Sequence, residues 1–314
     1  MRVRVVGAGV VGLTSALRLA QAGHAVDIVA AATGEQTTSS VAAALWYPYR
    51  AYPQQAVTRW SAISYQRLHE LSADPATGVR LRLGRELFRQ PTPDPWWRSA
   101  VPTLGRVSGD RLPPGYLDGY ELRVPVVDMA GHLSWLAGQL GTLGCPIRVE
   151  RLSELAAAAG DVDVVVNCTG LGARELIGDQ TLTPVRGQVV VVAQFGLTEW
   201  VLDHSDPEQL VYVVPRTDTV LLGGTAEEGD DDLTVRPETA AALLKRCSAL
   251  VPELEAARIV GHRVGLRPGR PSVRLETEFT GDGPVVHCYG HGGAGVTVAY
   301  GCAEDVVEQV SRLA

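Results

Sequence analysis

The chain has 314 residues, a formal net charge of −7 and 46% hydrophobic residues. This length suggests about two domains and permits a large apolar core. The negative charge excludes charge-driven binding to nucleic acid or to an anionic membrane, because such partners are recognised by basic faces. We find no apolar run of the ~18 residues that a membrane span requires.

The cysteines indicate the compartment. They are spread along the chain, at Cys145, Cys168, Cys247, Cys288 and Cys302. They form no CxxC pair and no metal-like pairing with histidine, which indicates buried thiols in a reducing compartment. The N-terminus passes directly into a predicted strand, without the pattern of a secretory signal. We therefore expect a cytoplasmic protein without a metal site.

The first predicted elements form a strand–helix–strand unit with a glycine-rich turn. Val3–Val6 predicts a buried strand, Gly7, Gly9 and Gly12 follow as G-x-G-x-x-G, and Ala25–Val29 predicts the next strand. Because the glycines lie between a strand and a helix, the pattern predicts a Rossmann-like dinucleotide-binding domain. The N–H groups at the start of the helix would face the pyrophosphate.

One part of the dinucleotide pattern is missing. The carboxylate that binds the adenosine ribose normally lies about 20 residues past the glycines, but Ala30, Ala31 and Ala32 occupy that place. Backbone groups, water or another segment must then hold the ribose. The following hydroxyls, Thr37–Ser40, either bind phosphate or cap a helix, and Ala42–Ala44 leave room for a flat ring against the backbone.

The middle of the chain separates two kinds of pattern. Residues 51–127 appear irregular, Asp161–Val166 predicts a buried parallel strand that ends in small residues, and Gln188–Thr225 is rich in strand patterns. We predict an α/β fold with a Rossmann-like domain and an α+β domain whose sheet is largely antiparallel. The predicted boundaries are 1–50, 128–183 and 267–314 for the first domain, and 51–127 and 184–266 for the second.

A second glycine-rich loop follows a predicted strand near the C-terminus. Gly290, Gly292, Gly293 and Gly295 precede a helix predicted near Val296. A flavin dinucleotide is too long for one glycine loop. We therefore expect this backbone to approach an isoalloxazine ring, with the positive end of the helix directed at the pyrimidine side.

Two side chains near this loop have predicted roles. Arg267 lies between Leu266 and Pro268, so we expect it to point inward, where a guanidinium needs an anionic partner such as a carboxylate. His291 is expected to serve as a hydrogen-bonding group and not as a base.

Taken in order, these motifs resemble the D-amino acid oxidases over nearly the whole chain. The segments that carry the resemblance are Gly7–Gly12, TTSSVAAALWYPY, VVVNCTG, RGQVV, YVVPRTDTVLLGG, GLRPGRPSVRLE and YGHGGAGVT. D-aspartate oxidases share most of them, and glycine and sarcosine oxidases share fewer. The resemblance implies non-covalent FAD, a D-amino acid and O2 as small-molecule partners, and a homodimer.

The resemblance also implies a reaction. Hydride passes from the substrate Cα to flavin N5, the imino acid hydrolyses to a 2-oxo acid and ammonia, and O2 is reduced to hydrogen peroxide. It implies no side chain as an obligate acid or base. Arg267 and Tyr212 would bind the substrate carboxylate, and the Gly293 carbonyl would accept the substrate amine.

The cofactor contacts implied by the resemblance come from both ends of the chain and from its middle. They are Gly7, Ala8, Gly9, Val10, Gly12, Thr37, Thr38, Ser39, Ala43, Ala44, Leu45, Val149, Gly292, Gly293, Ala294, Gly295, Val296 and Thr297.

Several substrates and functions stay open. Trp46 and Tyr47 favour neutral or apolar substrate side chains. A D-aspartate oxidase would need a further cation, for which Arg50, His204 and Arg216 are conceivable. A glycine- or sarcosine-type oxidase is another alternative, and the missing ribose carboxylate disfavours an NAD-dependent dehydrogenase.

A flavin-binding module without turnover is the non-enzyme alternative, and it would leave Arg267 and Tyr212 without a purpose. Glu208 stands in a short loop where mammalian relatives have a second tyrosine in a longer lid, so we expect freer product release.

Overall fold

A computed structural model describes residues 1–206 and 209–314. The helices are α1 Val10–Gln21, α2 Thr38–Val41, α3 Gln54–Leu71, α4 Met129–Thr142, α5 Ala173–Leu176, α6 Pro237–Leu250 and α7 Gly295–Ser311. The strands are β1 Arg2–Val6, β2 Ala25–Ala30, β3 Val79–Phe88, β4 Gly105–Val107, β5 Asp118–Val127, β6 Ile147–Val149, β7 Val164–Asn167, β8 Thr183–Ala193, β9 Trp200–Asp203, β10 Val211–Pro215, β11 Thr219–Gly223, β12 Glu227–Glu228, β13 Ile259–Gly269, β14 Arg274–Thr280 and β15 Gly283–Tyr289.

The first sheet is Rossmann-like, with the strand order β14-β15-β7-β1-β2-β6. Its strands pair in parallel except for β14, which is antiparallel to β15. Val3 and Val5 of β1 are completely buried, as expected for a parallel strand that is covered on both faces. The carboxyl end of β1 leads into the first glycine turn.

The second sheet has the order β12-β8-β11-β10-β9-β3-β5-β4, and β13 also pairs with β8. These pairs are antiparallel except for β3 and β9, which are parallel. Together the two sheets confirm the predicted fold class. The domain boundaries stay a prediction.

Two expectations for local structure are wrong. The strand predicted at Asp161 begins instead at Val164, because the Val162 N–H closes a turn by donating to the Ala159 carbonyl at 3.1 Å. Residues 51–127 are not irregular, since they contain α3 and the long paired strands β3 and β5. The buried face of α3 has helical spacing, but serines form part of it, and this weakens the apolar pattern.

The C-terminal helix α7 is held by α3. A Cβ on Gly301 would collide with the backbone of Trp60, so glycine permits this close helix contact. The Trp60 indole donates to Asp305 at 2.7 Å, and the Gly301 N–H donates to the Ser64 hydroxyl at 3.0 Å. This packing fixes the start of α7 near the second glycine loop. No helix of the described ranges is long and apolar enough to cross a membrane.

Candidate active site

One cavity of about 730 Å³ is lined by both glycine loops and by residues of both sheets. Seventeen predicted site residues lie in its wall. They are Gly7, Ala8, Gly9, Val10, Gly12, Thr37, Thr38, Ser39, Ala43, Ala44, Leu45, Tyr212, Arg267, Gly292, Gly293, Gly295 and Val296. The fold therefore brings together segments that are far apart in the sequence.

The first glycine turn is required by close contacts between backbones. Gly7 has φ of +114°, and a Cβ there would lie 2.5 Å from the carbonyl oxygen of Cys168. A Cβ on Gly12 would overlap the carbonyl oxygen of Gly7. A Cβ on Gly9 would lie 3.1 Å from the Ser39 hydroxyl oxygen. Glycine at these positions thus lets α1 begin directly against the end of β1.

The hydroxyl-rich segment contacts the start of α1. The Ser39 hydroxyl accepts a hydrogen bond from the Val10 N–H at 3.0 Å, and so satisfies a free donor at this helix N-terminus. The Thr37 hydroxyl donates to the Gly34 carbonyl at 2.7 Å. Ser39 therefore caps α1, a helix distant in sequence, and Thr37 and Thr38 lie beside it in the same wall.

The adenosine end of the predicted cofactor site contains a segment that sequence analysis missed. Ala30, Ala31 and Ala32 line the cavity together with residues 150–153. The Glu150 N–H donates to the Ala30 carbonyl at 2.8 Å, which extends the pairing of β2 with β6. Val149 is outside the lining and 67% exposed. Glu150 thus brings a carboxylate to the place where the second strand has none.

The second glycine loop makes room mainly for other segments of the chain. A Cβ on Gly292 would lie 2.7 Å from the carbonyl oxygen of Arg50, and one on Gly293 would lie 2.6 Å from Cδ1 of Tyr49. A Cβ on Gly290 would lie 2.7 Å from Cδ of Arg270. A Cβ on Gly295 would meet no atom of the described residues within 4 Å. The expected reason for these glycines, approach to a ring, is therefore incomplete.

Two predicted cofactor contacts lie behind the wall. Ala294 is completely buried in the core and outside the lining. The Thr297 hydroxyl accepts from the Tyr47 N–H at 3.1 Å and donates to the Tyr47 carbonyl at 3.0 Å. Thr297 thus holds the backbone of Tyr47, whose side chain does line the cavity.

Arg267 is held against the second sheet. Residues Arg267 and Val185 are partners in the β13–β8 register. A Cβ on Gly187 would lie 2.5 Å from Nη1 of Arg267, so glycine leaves the space that the guanidinium occupies. Nη1 donates to the Thr225 carbonyl at 2.9 Å. The guanidinium is thus fixed in the cavity wall, as the sequence predicts.

Tyr212 lies beside this arginine. Its ring covers the end of β11, where a Cβ on Gly223 or Gly224 would overlap it. Burial raises the pKa of the Tyr212 phenol, and the charge of Arg267 opposes part of that rise. The hydroxyl is therefore protonated near neutral pH and can donate a hydrogen bond.

A buried carboxylate network lies behind the aromatic part of the wall. The Tyr47 hydroxyl lies 2.8 and 2.9 Å from the two carboxylate oxygens of Glu86, and His204 Nδ1 lies 3.1 Å from Oε1. Glu86 is 2% exposed. Burial and the Glu86 charge raise the pKa of Tyr47 well above its usual value. Sequence analysis missed Glu86 because it lies in the segment predicted to be irregular.

The conceivable cations for an acidic substrate differ in position. His204 lines the cavity. Arg50 forms an exposed ion pair with Glu228 at 3.0 Å, and Arg216 is buried outside the lining and donates to the Ala42 carbonyl. Of these side chains, His204 is thus the one in the wall.

Two cysteines and a histidine form a buried cluster that their sequence spacing did not reveal. The Sγ atoms of Cys288 and Cys302 and a ring nitrogen of His291 lie within 4.8 Å of one another. Burial lowers the pKa of His291 to about 4, and hydrogen bonding to Cys288 and burial raise the pKa of Cys168 beside it. The His291 imidazole is therefore uncharged at neutral pH. Glu208, the predicted lid position, lies outside the described residues.

Comparisons with known proteins identify the family of this chain. A family model described as FAD dependent oxidoreductase matches residues 2–309. The chain is 49% identical over 306 residues to a D-amino-acid oxidase of Rubrobacter xylanophilus, covering 97% of this chain and 94% of that protein. It is 44% identical to a D-amino-acid oxidase of Streptomyces coelicolor (98% and 96% covered) and 36% identical to human D-aspartate oxidase (99% and 95%).

Solved structures share the fold. Glycine oxidase from Bacillus cereus gives a TM-score of 0.80 at 19% identity, over 99% of this chain and 95% of that chain. L-α-glycerophosphate oxidase from Mycoplasma pneumoniae, solved with FAD bound, gives 0.81 at 17% identity, over 99% and 94%.

The chain therefore belongs to the FAD-dependent oxidoreductase family and is an enzyme that uses FAD. Within that family, the predicted resemblance to the D-amino acid oxidases is confirmed by its relatives.

The cavity fits this cofactor. The helices α1 and α7 both start in its wall, near Gly9 and at Gly295, and their N–H groups suit the pyrophosphate and the pyrimidine carbonyl oxygens.

Proposed function

We propose that the protein is a D-amino acid oxidase that converts D-amino acids to 2-oxo acids, ammonia and hydrogen peroxide, with neutral or apolar side chains favoured. The observation that carries this proposal is the position of Arg267 and Tyr212 in the same cavity as both glycine loops. A purely flavin-binding module would have no need of a fixed guanidinium and a buried phenol there. The names of the relatives support the substrate class.

We propose that the substrate carboxylate binds Arg267 and Tyr212. A guanidinium has five N–H donors, and the bond to Thr225 accounts for one of them. The protonated Tyr212 hydroxyl adds a neutral donor. The Gly293 carbonyl would accept from the substrate amine, which fixes a third point and hence the orientation of Cα.

Bound FAD would supply the acceptor for the hydrogen and two electrons of the substrate Cα–H bond. The residues of this chain then act by orientation, because a bond held in line with its acceptor reacts without further loss of entropy. We include no side chain as an obligate acid or base; burial lowers the pKa of His291 to about 4, which makes its imidazole a weak base. The loop around Gly293 would exclude water from the reacting carbon.

The proposed preference for neutral substrates rests on the cavity wall. Its aromatic and aliphatic members include Tyr47, Tyr49, Leu202, Leu210 and Val214. Such a wall favours apolar side chains through burial, by roughly 25 cal/mol per Å² of apolar surface. D-aspartate oxidation is the second candidate, and His204 in the same wall is the observation that favours it.

Anaerobic reduction of the bound flavin tests this proposal. We expect D-alanine to bleach the flavin absorbance of the purified enzyme, L-alanine to leave it unchanged, and subsequent air to restore it with one equivalent of peroxide. Arg267→Leu should retain flavin and lose reduction at millimolar D-alanine. Bleaching by L-alanine, or by neither form, would contradict the proposal. The homodimer, the cytoplasmic location, the domain boundaries and the freer product release stay predictions.

A further inference from the structure

The cavity wall also contains a histidine that pairs with a buried carboxylate. His204 lies in the cavity wall, with its Nδ1 at 3.1 Å from Oε1 of Glu86. The ring is also packed between two tyrosines, with centroid distances of 5.5 Å to Tyr47 and 5.9 Å to Tyr49. Its orientation is thus fixed from three sides.

Glu86 needs a positive partner. It is 2% exposed, and an ionised carboxylate that is removed from water requires hydrogen bonds and a countercharge. The Tyr47 hydroxyl supplies a hydrogen bond to it. Within the part of the chain that the structure describes, His204 is the basic side chain in ion-pair distance of this carboxylate.

This pairing determines which nitrogen a ligand meets. Because Nδ1 faces Glu86, Nε2 on the other side of the ring is the nitrogen left for the cavity. An imidazolium donates from both nitrogens. Other charged groups near the ring are Asp203, which accepts from the Tyr116 hydroxyl at 2.6 Å, and Arg89, 3.4 Å from that aspartate.

We propose that His204, held by Glu86, sets how well the enzyme accepts an acidic substrate side chain relative to an apolar one of the same shape. The proposal rests on the proposed oxidase function. A substrate that is held at Arg267 would extend its side chain into the cavity whose wall contains this imidazole. His204 is thus a specificity-determining residue, and Glu86 is a positioning residue that acts through it.

The test uses three substrates of nearly equal shape: D-leucine, D-asparagine and D-aspartate. For the full-length holoenzyme we expect His204→Leu to lower the ratio of kcat/KM for D-aspartate to that for D-leucine by about tenfold to a hundredfold, because a hydrogen bond to a charged group is lost. The ratio of kcat/KM for D-asparagine to that for D-leucine should fall by an intermediate factor. Glu86→Gln should lower the same ratio, and His204→Lys, which places a basic side chain at the same position, should keep it within about threefold.

The control and the contrary outcomes are defined by the same ratio. His262→Leu changes a histidine on β13 outside the cavity wall and should leave the ratio unchanged. If the role of His204 is purely structural, its substitution would lower kcat/KM for all three substrates in parallel, and lysine would not restore it. That result overturns the proposal. A wild-type enzyme that is inactive on D-aspartate also overturns it. If no D-amino acid reduces the wild-type flavin, the oxidase function itself fails.

Discussion

The two glycine loops look alike in sequence but differ in what surrounds them. In the first loop, Gly7 and Gly12 are required by the carbonyl groups of Cys168 and of Gly7 itself. In the second loop, Gly293 is required by the ring of Tyr49, and Gly290 by the side chain of Arg270. Backbone crowds the first loop, and for the most part side chains from distant segments crowd the second.

This difference predicts which property of the enzyme a change in each loop affects first. Backbone contacts in the first loop are fixed by the path of β1 and α1, so changes there should affect the fold and FAD together. The second loop contacts Tyr49, which faces Arg267, so changes there should affect the substrate first. Substitutions that test the comparison follow, beginning with the largest expected effect.

Gly12→Ala should prevent formation of the loaded enzyme. The added Cβ would lie 2.0 Å from the backbone oxygen of Gly7, and we expect a loss of about 4 kcal/mol or more in unfolding free energy. Flavin content and thermal unfolding of the purified protein measure this. Gly138→Ala in α4, where a Cβ meets no described atom within 4 Å, is the control and should be neutral or stabilising. A flavin-loaded Gly12→Ala enzyme of normal stability would break the comparison.

Acid should lower the stability of the folded protein through a histidine of the second loop. The folded His291 has a pKa of about 4, while its ordinary value is 6.5, so between these values the unfolded chain binds a proton that the folded chain does not. Stability is therefore lost as pH falls from about 6.5 to 4, by roughly 3 kcal/mol in total from this group.

Urea unfolding at pH 7 and pH 5 measures this loss. His291→Asn should reduce the change of unfolding free energy with pH. Part of that change should remain, because this variant still contains His132, whose pKa burial also lowers to about 4. Equal slopes in the wild type and in His291→Asn would contradict the assignment.

Gly293→Ala should retain flavin and lose affinity for the substrate. Its Cβ would lie 2.6 Å from Tyr49 and 3.7 Å from Arg267 Cδ, so the tyrosine must move, at a cost of about 1–3 kcal/mol for overpacking. Gly141→Ala in α4 is the control, because a Cβ there would meet no atom of the described residues within 4 Å and the residue lies outside the cavity wall. Titration of each variant with D-alanine under anaerobic conditions gives the affinities. The comparison fails if both variants lose affinity for D-alanine, or if neither does.

Glu150→Ala tests the adenosine end, with the smallest expected effect. If this exposed carboxylate replaces the missing acid of the second strand, FAD affinity should fall about threefold to tenfold. Affinity for FMN, which lacks the adenosine, should not change. Fluorescence titration of the flavin-free protein with both cofactors measures this, with Glu154→Ala, outside the cavity wall, as the control. An equal loss for FAD and FMN would show that Glu150 acts elsewhere.

Sequence analysis identified features that depend on neighbouring residues. The first turn was predictable because Gly7, Gly9 and Gly12 lie within one short strand–turn–helix unit. Arg267 was predictable because its apolar neighbours indicate an inward side chain. The resemblance then implied its partner Tyr212.

Features that depend on long-range pairing were missed. Glu86 reaches the site through the pairing of β3 with β9, and Glu150 through that of β2 with β6. The reason for Gly293 likewise depends on Tyr49, from a distant segment. Neither the spacing nor the composition of a single segment contains this information.

A crystal structure of the holoenzyme with a bound substrate analogue tests the central claim most directly. We predict that the flavin ring lies against the Gly292–Gly295 backbone, that its pyrophosphate lies at the start of α1, and that the ligand carboxylate is within hydrogen-bond distance of Arg267. A ring system bound away from Gly292–Gly295, or an Arg267 side chain that faces solvent, would contradict it.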